Sequence, residues 1–421
     1  MEELLHYVWK HKLFQKDLRT TDGTAVEVID AGIHNTDGGP DFFNAKIKLG
    51  DKTWAGNVEI HKRSSDWKRH KHHEDKTYNS VVLHVVEDAN EDVYTESGQK
   101  LIQCQISCPK HIKENIEYLL YAHEQMPCCN YINSMPDVHL SGWINTLLVE
   151  RLERKASDIE RLLTRFNNSW DEVFYVLLAR SFGFGLNSDS FEQLALSLPF
   201  IALQKQRNDI EQIEALMFGQ AGMLGDDIKD DDYSRKLKNE YGLLKNKYSL
   251  SPLESYIFKK LRMRPGSSPH IRIAQLAMLL FKEDRLFSKI AECGDVGKIR
   301  LMLHENASEY WQTHYCFGEP SPRKSKFIGD ASLDVIIINA VVPILFSYGK
   351  HTGNDELCER AFMFLDTIKA ESNSIVRSFT QYGLKVSNAG QSQAVIQLKR
   401  EYCQKRKCLF CRIGYQILTE K

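Results

Sequence analysis

The sequence predicts an α+β protein in which a mixed sheet with flanking helices is followed by a large all-helical region. Two changes in residue pattern indicate this. Up to about residue 110, short apolar runs alternate with polar residues, as they do in half-buried strands. Beyond residue 140, apolar residues recur at helical spacing in almost every segment. The break near 125–140 divides the chain into predicted domains 1–125 and 126–421.

The first predicted domain reads as a helix followed by strands. Its elements are a helix over 2–14, strands over 25–29, 45–49 and 54–61, a short polar helix over 66–80, and strands over 80–86 and 100–106. The second domain carries successive helices without a fixed-period repeat, so a solenoid is not predicted. No Gly-x-x-x-x-Gly-Lys pattern follows a strand, so no nucleotide-binding loop is predicted either.

Composition is that of an ordinary globular protein, with 42% hydrophobic and 26% charged residues in 421. The net charge of −1 neither predicts nor excludes a nucleic-acid partner, because a basic cleft can be offset by an acidic exterior. No uninterrupted apolar run of about 18 residues occurs, so we expect no membrane partner. The acidic N-terminus does not resemble a signal peptide, and ten cysteines are too few for a disulfide scaffold. We therefore expect a cytoplasmic protein with reduced thiols.

Chemically reactive side chains are densest between Gly39 and His84. Asp41 and Glu59 lie on neighbouring strands of a predicted hairpin. Adjacent strands are about 4.8 Å apart, so two carboxylates at matching heights can share one divalent ion. Carboxylate oxygens suit Mg²⁺ or Mn²⁺. His61 follows Glu59 by two residues and points to the same side, where an imidazole can activate water or stabilise a developing charge.

A basic run follows this pair. Lys68 and Arg69, with the histidines after them, suit a phosphate backbone, although such runs also form solvated helix faces. Zinc is a further alternative, because His70, His72 and Asp75 approach a metallo-hydrolase pattern. Their spacing departs from His-x-His-x-Asp-His, which makes zinc the weaker hypothesis here.

The C-terminus carries a second cluster, Cys403, Cys408 and Cys411, with the spacing Cys-x₄-Cys-x₂-Cys. Three thiolates invite zinc or a [4Fe–4S] cluster. Cys128, in a loop broken by a proline, is the expected fourth ligand. The alternative is three unliganded cysteines at a helix end.

Another basic stretch lies in the helical region. Arg262 and Arg264 flank a Pro/Gly/Ser loop that precedes a helix, and a helix N-terminus with nearby arginines can hold a phosphate. The alternative is that these arginines pair with the abundant acidic residues.

The segments Pro40-Asp41 and Glu59-Ile60-His61 resemble the signature of the PD-(D/E)xK nuclease superfamily, with His61 at the position of its lysine. The resemblance implies a restriction-endonuclease-like fold and metal-dependent cleavage of DNA or RNA. It assigns metal binding to Asp41 and Glu59 and orientation of the attacking water to His61. In the RecB-like branch a helix carries histidine, glutamine and tyrosine; His72, Asp75 and Tyr78 are similar, which implies that they contact substrate. Some members of that branch also join one distant cysteine to a C-terminal trio.

Nearly the whole chain resembles an uncharacterised bacterial family, the domain of unknown function 2851. The resemblance is carried by Asn35-x-x-x-Gly39-Pro40-Asp41-Phe42, Val58-Glu59-Ile60-His61, Glu214-Ala215-Leu216-x-Phe218-Gly219-Gln220-Ala221-Gly222 and Lys407-Cys408-Leu409-x-Cys411, among other stretches. It implies no activity. The functional hypotheses are therefore a nuclease, an inactive nuclease-like module that binds nucleic acid or a protein, and a helical interaction scaffold stapled by its cysteines.

Overall fold

The structure of the protein is a computed structural model that describes residues 2–35, 37–122, 126–225, 228–261 and 263–419. The chain forms two compact units, one of residues 1–140 with 399–421 and one of residues 141–398. The first contains a mixed sheet with helices and the second is helical, so the predicted α+β class is confirmed. The cysteine-bearing C-terminal segment groups with the sheet, whereas the sequence assigned it to the helical domain 126–421.

The sheet of the first unit has antiparallel and parallel halves that meet at one strand. Its strands are β1 (Val26–Asp30), β2 (Ile33–His34), β3 (Phe42–Leu49), β4 (Lys52–Arg63), β5 (Val81–Asp88) and β6 (Gln103–Gln105). The order is β1-β3-β4-β5-β6, with β2 paired to the start of β3. β4 is antiparallel to β3 and parallel to β5, so it joins the two halves.

The core explains why the first segments fold as predicted. Phe42, Val58 and Ile60 alternate with polar neighbours and are fully or almost fully buried on one face of the sheet. Helix α1 (Glu2–Lys10) covers that face with an apolar stripe that includes Trp9. The Trp9 indole N–H donates to the carbonyl oxygen of Ala31 at 3.0 Å, which fixes the helix against the sheet.

The connection from β4 to β5 differs from the predicted helix over 66–80. Helix α2 (Asp66–Arg69) makes about one turn, and two 3₁₀ turns follow at His72–Glu74 and Lys76–Ser80. Lys71, with φ of 63°, interrupts the helix because a left-handed residue cannot continue it. The segment still acts as the crossover that a parallel pair of strands requires.

The first unit also contains helices formed by residues beyond the sheet. Helix α3 (Lys110–Tyr121) packs against the C-terminal helix α18 (Arg412–Thr419), and the Asn115 side chain donates to the Ile417 carbonyl at 3.1 Å. Short 3₁₀ turns at Cys129–Ser134 and Cys408–Phe410 adjoin these helices. A π-helical turn, Leu398–Cys403, leads into the segment.

The second unit is built from helices. They are α4 (Asp137–Arg165), whose first turn belongs to the first unit, α5 (Trp170–Phe182), α6 (Ser188–Ser197), α7 (Phe200–Lys205), α8 (Ile210–Gln220), α9 (Asp232–Tyr248), α10 (Pro269–Lys282), α11 (Leu286–Glu292), α12 (Val296–Leu303), α13 (Asp330–Ile336), α14 (Val342–Thr352), α15 (Asp355–Thr367), α16 (Ser374–Gln381) and α17 (Ala389–Gln397). The continuous stretch Asp330–Thr352 is long and apolar enough to cross a membrane, and 67% of its most apolar window is buried inside the structure, as in a core helix.

Helix α8 carries a stretch that the sequence singled out, and its polar side chains have structural partners. Glu214 is fully buried and accepts hydrogen bonds from the Tyr233 hydroxyl at 2.5 Å and the Trp311 indole at 3.1 Å. Burial raises the pKa of Glu214 to about 7, although these donors oppose the shift. Gln220 donates to two carbonyl oxygens of neighbouring loops. These contacts account for the stretch through packing and hydrogen bonding.

Candidate metal and active site

The loop before β3 sets the position of Asp41. Gly39 has φ of 103°, a conformation that glycine adopts without the clash of a side chain. The Asn35 side-chain amide donates to the Pro40 carbonyl at 3.0 Å, and the Asn35 backbone N–H donates to the Asp41 carbonyl at 2.8 Å. The loop therefore presents Asp41 to β4 in a fixed orientation.

Backbone hydrogen bonds place Asp41 and Glu59 next to each other. The Asp41 backbone N–H donates to Glu59 Oε2 at 3.0 Å, and the Ile60 backbone N–H donates to Asp41 Oδ2 at 2.9 Å. Glu59 is buried, whereas the Asp41 side chain keeps 22% of its surface exposed. The two predicted acids are thus brought together on neighbouring strands, at the strand where the two halves of the sheet meet.

Burial makes the charge of Glu59 costly. Desolvation raises the pKa of Glu59, the charge of Asp41 raises it further, and His72 opposes both effects. Two carboxylates held close together in a buried place favour a compensating cation.

His61 lies on the same side of β4 as Glu59, as the alternation of the strand predicts. Its Nδ1 is 2.9 Å from His84 Nε2, and its Nε2 is 3.1 Å from His70 Nδ1 and 3.5 Å from Glu59 Oε1. Burial, reinforced by the neighbouring histidines, lowers the pKa of His61 to about 2. The imidazole is therefore neutral at physiological pH.

Two further imidazoles surround His61. His70 and His72 place one ring nitrogen each within 4.8 Å of the other and of His61. The His72 Nε2 atom lies 3.1 Å from Glu59 Oε1, and the ring stacks on Tyr78 with centroids 3.9 Å apart. Sequence reasoning gave these histidines two alternative roles, as substrate contacts and, in the weaker hypothesis, as zinc ligands with Asp75. The structure places His61 and His72 against the acid that was predicted to bind metal, and His70 against His61.

A residue that sequence reasoning missed, His6, completes the contacts of Asp41. Its Nε2 is 3.2 Å from Asp41 Oδ2. Burial lowers the pKa of His6, but the hydrogen bond and the charge of Asp41 outweigh burial, so the net pKa is raised. His6 lies on α1, 35 residues before Asp41, and no spacing pattern in the sequence links the two.

His6 also lines a cleft of about 480 Å³ within the first unit. The cleft runs between α1, the end of β2 and the start of α18, and its lining combines basic and aromatic groups: Lys10, His11, His34, Phe410, Arg412 and Tyr415. One wall of the cleft therefore lies 3.2 Å from a carboxylate of the acid pair.

Other predicted substrate contacts lie at the surface near the histidines. Lys68 and Arg69 are exposed and pair with acids, Glu91 at 3.1 Å and Asp66 at 3.0 Å. Asp75 caps a 3₁₀ turn and accepts from the Thr77 backbone N–H at 2.8 Å. Its contact with substrate stays a prediction.

Of the two predicted arginines of the helical region, one lies within the described residues. Arg264 is exposed at the start of a short 3₁₀ turn in the second unit. Arg262 lies outside the described residues.

The four predicted cysteine ligands are neighbours in the first unit. Burial, followed by the charges of Cys403, Cys411 and Cys408, raises the pKa of the Cys128 thiol. Burial and the same neighbours raise the pKa of Cys403 to about 12. The Cys408 thiol also lies 3.7 Å from the Leu119 carbonyl at the end of α3. Cys128 and the C-terminal trio therefore lie close enough to affect one another's pKa although 275 residues separate Cys128 from Cys403, but among the described residues no three of their sulfur atoms lie within 4.8 Å of one another.

The Asp41–His6 pair predicts a titration. In chelator-treated wild-type protein, NMR should give His6 a pKa above its ordinary value of 6.5. Asp41→Asn should lower this pKa because burial is then opposed only by the smaller effects of Glu2 and Glu59. A raised folded-state pKa means that the pair stabilises the fold below about pH 6.5 and that this contribution is lost as pH rises through the folded pKa. The signal is assigned by its absence in His6→Gln. An unchanged His6 pKa in Asp41→Asn would contradict the contact.

The chain matches the sequence model of one family over most of its length. No curated protein and no solved structure matches the chain significantly. The sequence model of a family described as "Protein of unknown function (DUF2851)" matches residues 2–374, a range that includes the acid pair and the histidines and ends before the C-terminal cysteines. The chain belongs to this family.

Proposed function

We propose that the protein is a metal-dependent nuclease that hydrolyses phosphodiester bonds in DNA or RNA. The observation that carries the proposal is the placement of Asp41 beside Glu59, where the Asp41 backbone N–H donates to Glu59 Oε2 and the Ile60 backbone N–H donates to Asp41 Oδ2. His61 follows on the same side of β4, at the position that the PD-(D/E)xK resemblance gives to the basic residue. The sheet order supports the proposal, because this signature also requires a helix, an antiparallel hairpin and a parallel return strand.

The donor set fits a divalent cation such as Mg²⁺ or Mn²⁺. Asp41 and Glu59 supply carboxylate oxygens, and the raised pKa of Glu59 reflects buried negative charge that a cation would offset. When bound, the ion would supply charge neutralisation at the phosphate and activation of water.

The protein's own groups would divide the remaining work. His61, being neutral, can accept a proton from water through an unprotonated ring nitrogen, whereas it cannot supply the positive charge of a lysine. His6 holds Asp41 in place and lines the cleft. Lys10 and Arg412 give the cleft the charge that a phosphate backbone requires, and Tyr415 gives it a surface on which a base can stack. Lys68 and Arg69 would extend the basic surface.

A second candidate function is a nuclease-like module that binds nucleic acid or a protein without cleaving. The neutral state of His61 and its engagement by His84 and His70 favour it, because the charge of the usual lysine is lost. With either function, we propose that the protein acts in the cytoplasm.

Loss of either acid should abolish cleavage. We expect wild-type protein to cut single- or double-stranded DNA or RNA in the presence of Mg²⁺ or Mn²⁺, and Asp41→Asn and Glu59→Gln to be inactive. His61→Ala should lose about 10²–10⁴-fold in rate if it transfers a proton. The measurement is cleavage of end-labelled oligonucleotides. Asp51→Asn is the matched control, because Asp51 is an exposed acid in the turn that joins β3 to β4.

The outcomes separate the two candidate functions. Wild-type protein that binds nucleic acid but cleaves none of these substrates would favour the inactive module. Cleavage that persists in both Asp41→Asn and Glu59→Gln would contradict the assignment of this site.

We also propose that Cys128, Cys403, Cys408 and Cys411 hold zinc or a [4Fe–4S] cluster that fastens the C-terminal segment to the first unit. Their mutual proximity supports the proposal. Contacts of the same segment with α3 also support it, because the Arg406 guanidinium donates to the Ala122 carbonyl at 2.9 Å.

The cysteine proposal predicts a metal that depends on all four thiols. Protein purified without oxygen should contain either zinc or brown, iron-bearing chromophore, and both Cys128→Ser and Cys403→Ser should lose it. Cys129→Ser is the control, since its thiol faces the neighbouring Asn130 at 3.6 Å. Equal metal content in all variants would overturn the proposal.

A further inference from the structure

Three imidazoles form a cluster beside Glu59. His61 on β4 and His72 on a 3₁₀ turn lie 3.5 and 3.1 Å from Glu59 Oε1, and His70 at the end of α2 lies 3.1 Å from His61. The ring nitrogens of the three histidines lie within 4.8 Å of one another. Glu59 uses its other oxygen, Oε2, to accept the Asp41 backbone N–H, so Oε1 is the oxygen that faces the histidines.

Three of the ligand-atom separations are close to the edges of a coordination tetrahedron. His61 Nε2 is 3.1 Å from His70 Nδ1 and 3.5 Å from Glu59 Oε1, and His72 Nε2 is 3.1 Å from the same oxygen. Metal–ligand bonds of about 2.0–2.1 Å in a tetrahedron place the ligand atoms about 3.3–3.4 Å apart. The nitrogens of the three histidines lie within a wider limit of 4.8 Å, so the side chains must adjust to surround an ion.

His72 has a close contact with Glu59. Its buried Nε2 atom lies 3.1 Å from Glu59 Oε1. Imidazole nitrogens and carboxylate oxygens both coordinate metal ions, so one ion can bind the two side chains.

Neighbouring side chains hold the imidazoles of His61 and His72 in their orientations. His61 Nδ1 is 2.9 Å from His84 Nε2, and His84 is fully buried. The Trp67 indole packs against His72 and His84, with ring centroids 5.3 and 5.2 Å away, and Tyr78 stacks on the opposite side of His72. Histidine ligands are commonly oriented through their second nitrogen in this way.

We infer that Glu59, His61, His70 and His72 form a binding site for a first-row transition metal, with zinc as its representative ion. Three nitrogen donors and one carboxylate favour such ions over Mg²⁺, which prefers an all-oxygen shell. The inference does not require that the protein cleave nucleic acid. With zinc bound, His61 is a ligand, so the proton transfer proposed for His61 applies only to the Mg²⁺ or Mn²⁺ form. The rival arrangement is a metal-free chain of hydrogen-bonded histidines.

The test compares zinc content and thermal stability in the full-length protein. Chelator-treated wild-type protein is dialysed against zinc chloride, its bound zinc is counted by mass spectrometry, and its melting temperature is recorded with zinc and with Mg²⁺. We expect His70→Gln and His72→Gln to bind one zinc ion fewer per chain than wild type and to lose the zinc-induced rise in melting temperature.

The matched control is His73→Gln. His73 neighbours a proposed ligand, but its Nε2 lies 3.3 Å from Glu74 and its side chain is 36% exposed. This variant should keep the wild-type zinc content. All variants retain the four cysteines, so a zinc ion at that cluster contributes equally and cancels from the difference.

A second measurement does not depend on variants that fold. Co²⁺ added to apo wild-type protein should give visible bands of a tetrahedral or five-coordinate nitrogen and oxygen site, beyond any thiolate charge-transfer bands from the cysteines. Zinc content that is equal in wild type, His70→Gln and His72→Gln would overturn the inference, as would stabilisation by Mg²⁺ equal to that by zinc. Absence of nuclease activity with a normal zinc difference would leave it standing and contradict only the proposed function.

Discussion

The buried carboxylate of Glu59 is the group on which the candidate site depends. One of its oxygens accepts the backbone N–H of Asp41, and the other faces His61 and His72. This single side chain therefore connects the hairpin formed by β3 and β4 to the crossover that leads to β5. Because Glu59 lies on the strand shared by both halves of the sheet, displacement of β4 would disturb every contact of the site.

Burial destabilises the charged form of the Glu59 carboxyl, and its neighbours offset this effect only in part. Desolvation and the charge of Asp41 raise the pKa of Glu59, and the nearest buried imidazole, His61, is neutral. Asp41 has a cationic partner available in His6, whereas the free oxygen of Glu59 faces the imidazoles of His61 and His72. Imidazole nitrogens beside a carboxylate oxygen are a donor set that divalent first-row transition metals bind.

Local patterns in the sequence were enough to predict part of this arrangement. Strand alternation placed Glu59 and His61 on one side, and the hairpin brought Asp41 beside them. The convergence of His70, His72 and His84 was not predictable in the same way, because it depends on the return of β5 parallel to β4 and on a left-handed Lys71 that breaks the expected helix. His6 was missed for a related reason, since only tertiary packing of α1 brings it to Asp41. The grouping of Cys128 with the C-terminal trio came from ligand counting and not from secondary structure.

Anomalous diffraction from crystals grown with zinc or Mn²⁺ tests directly whether a metal ion binds at Glu59. We expect an anomalous peak within bonding distance of a Glu59 carboxylate oxygen. With zinc, His61, His70 and His72 should complete its coordination. Crystals in which the ion occupies only other places, while Glu59 keeps its contacts with Asp41 and the histidines, would contradict the account.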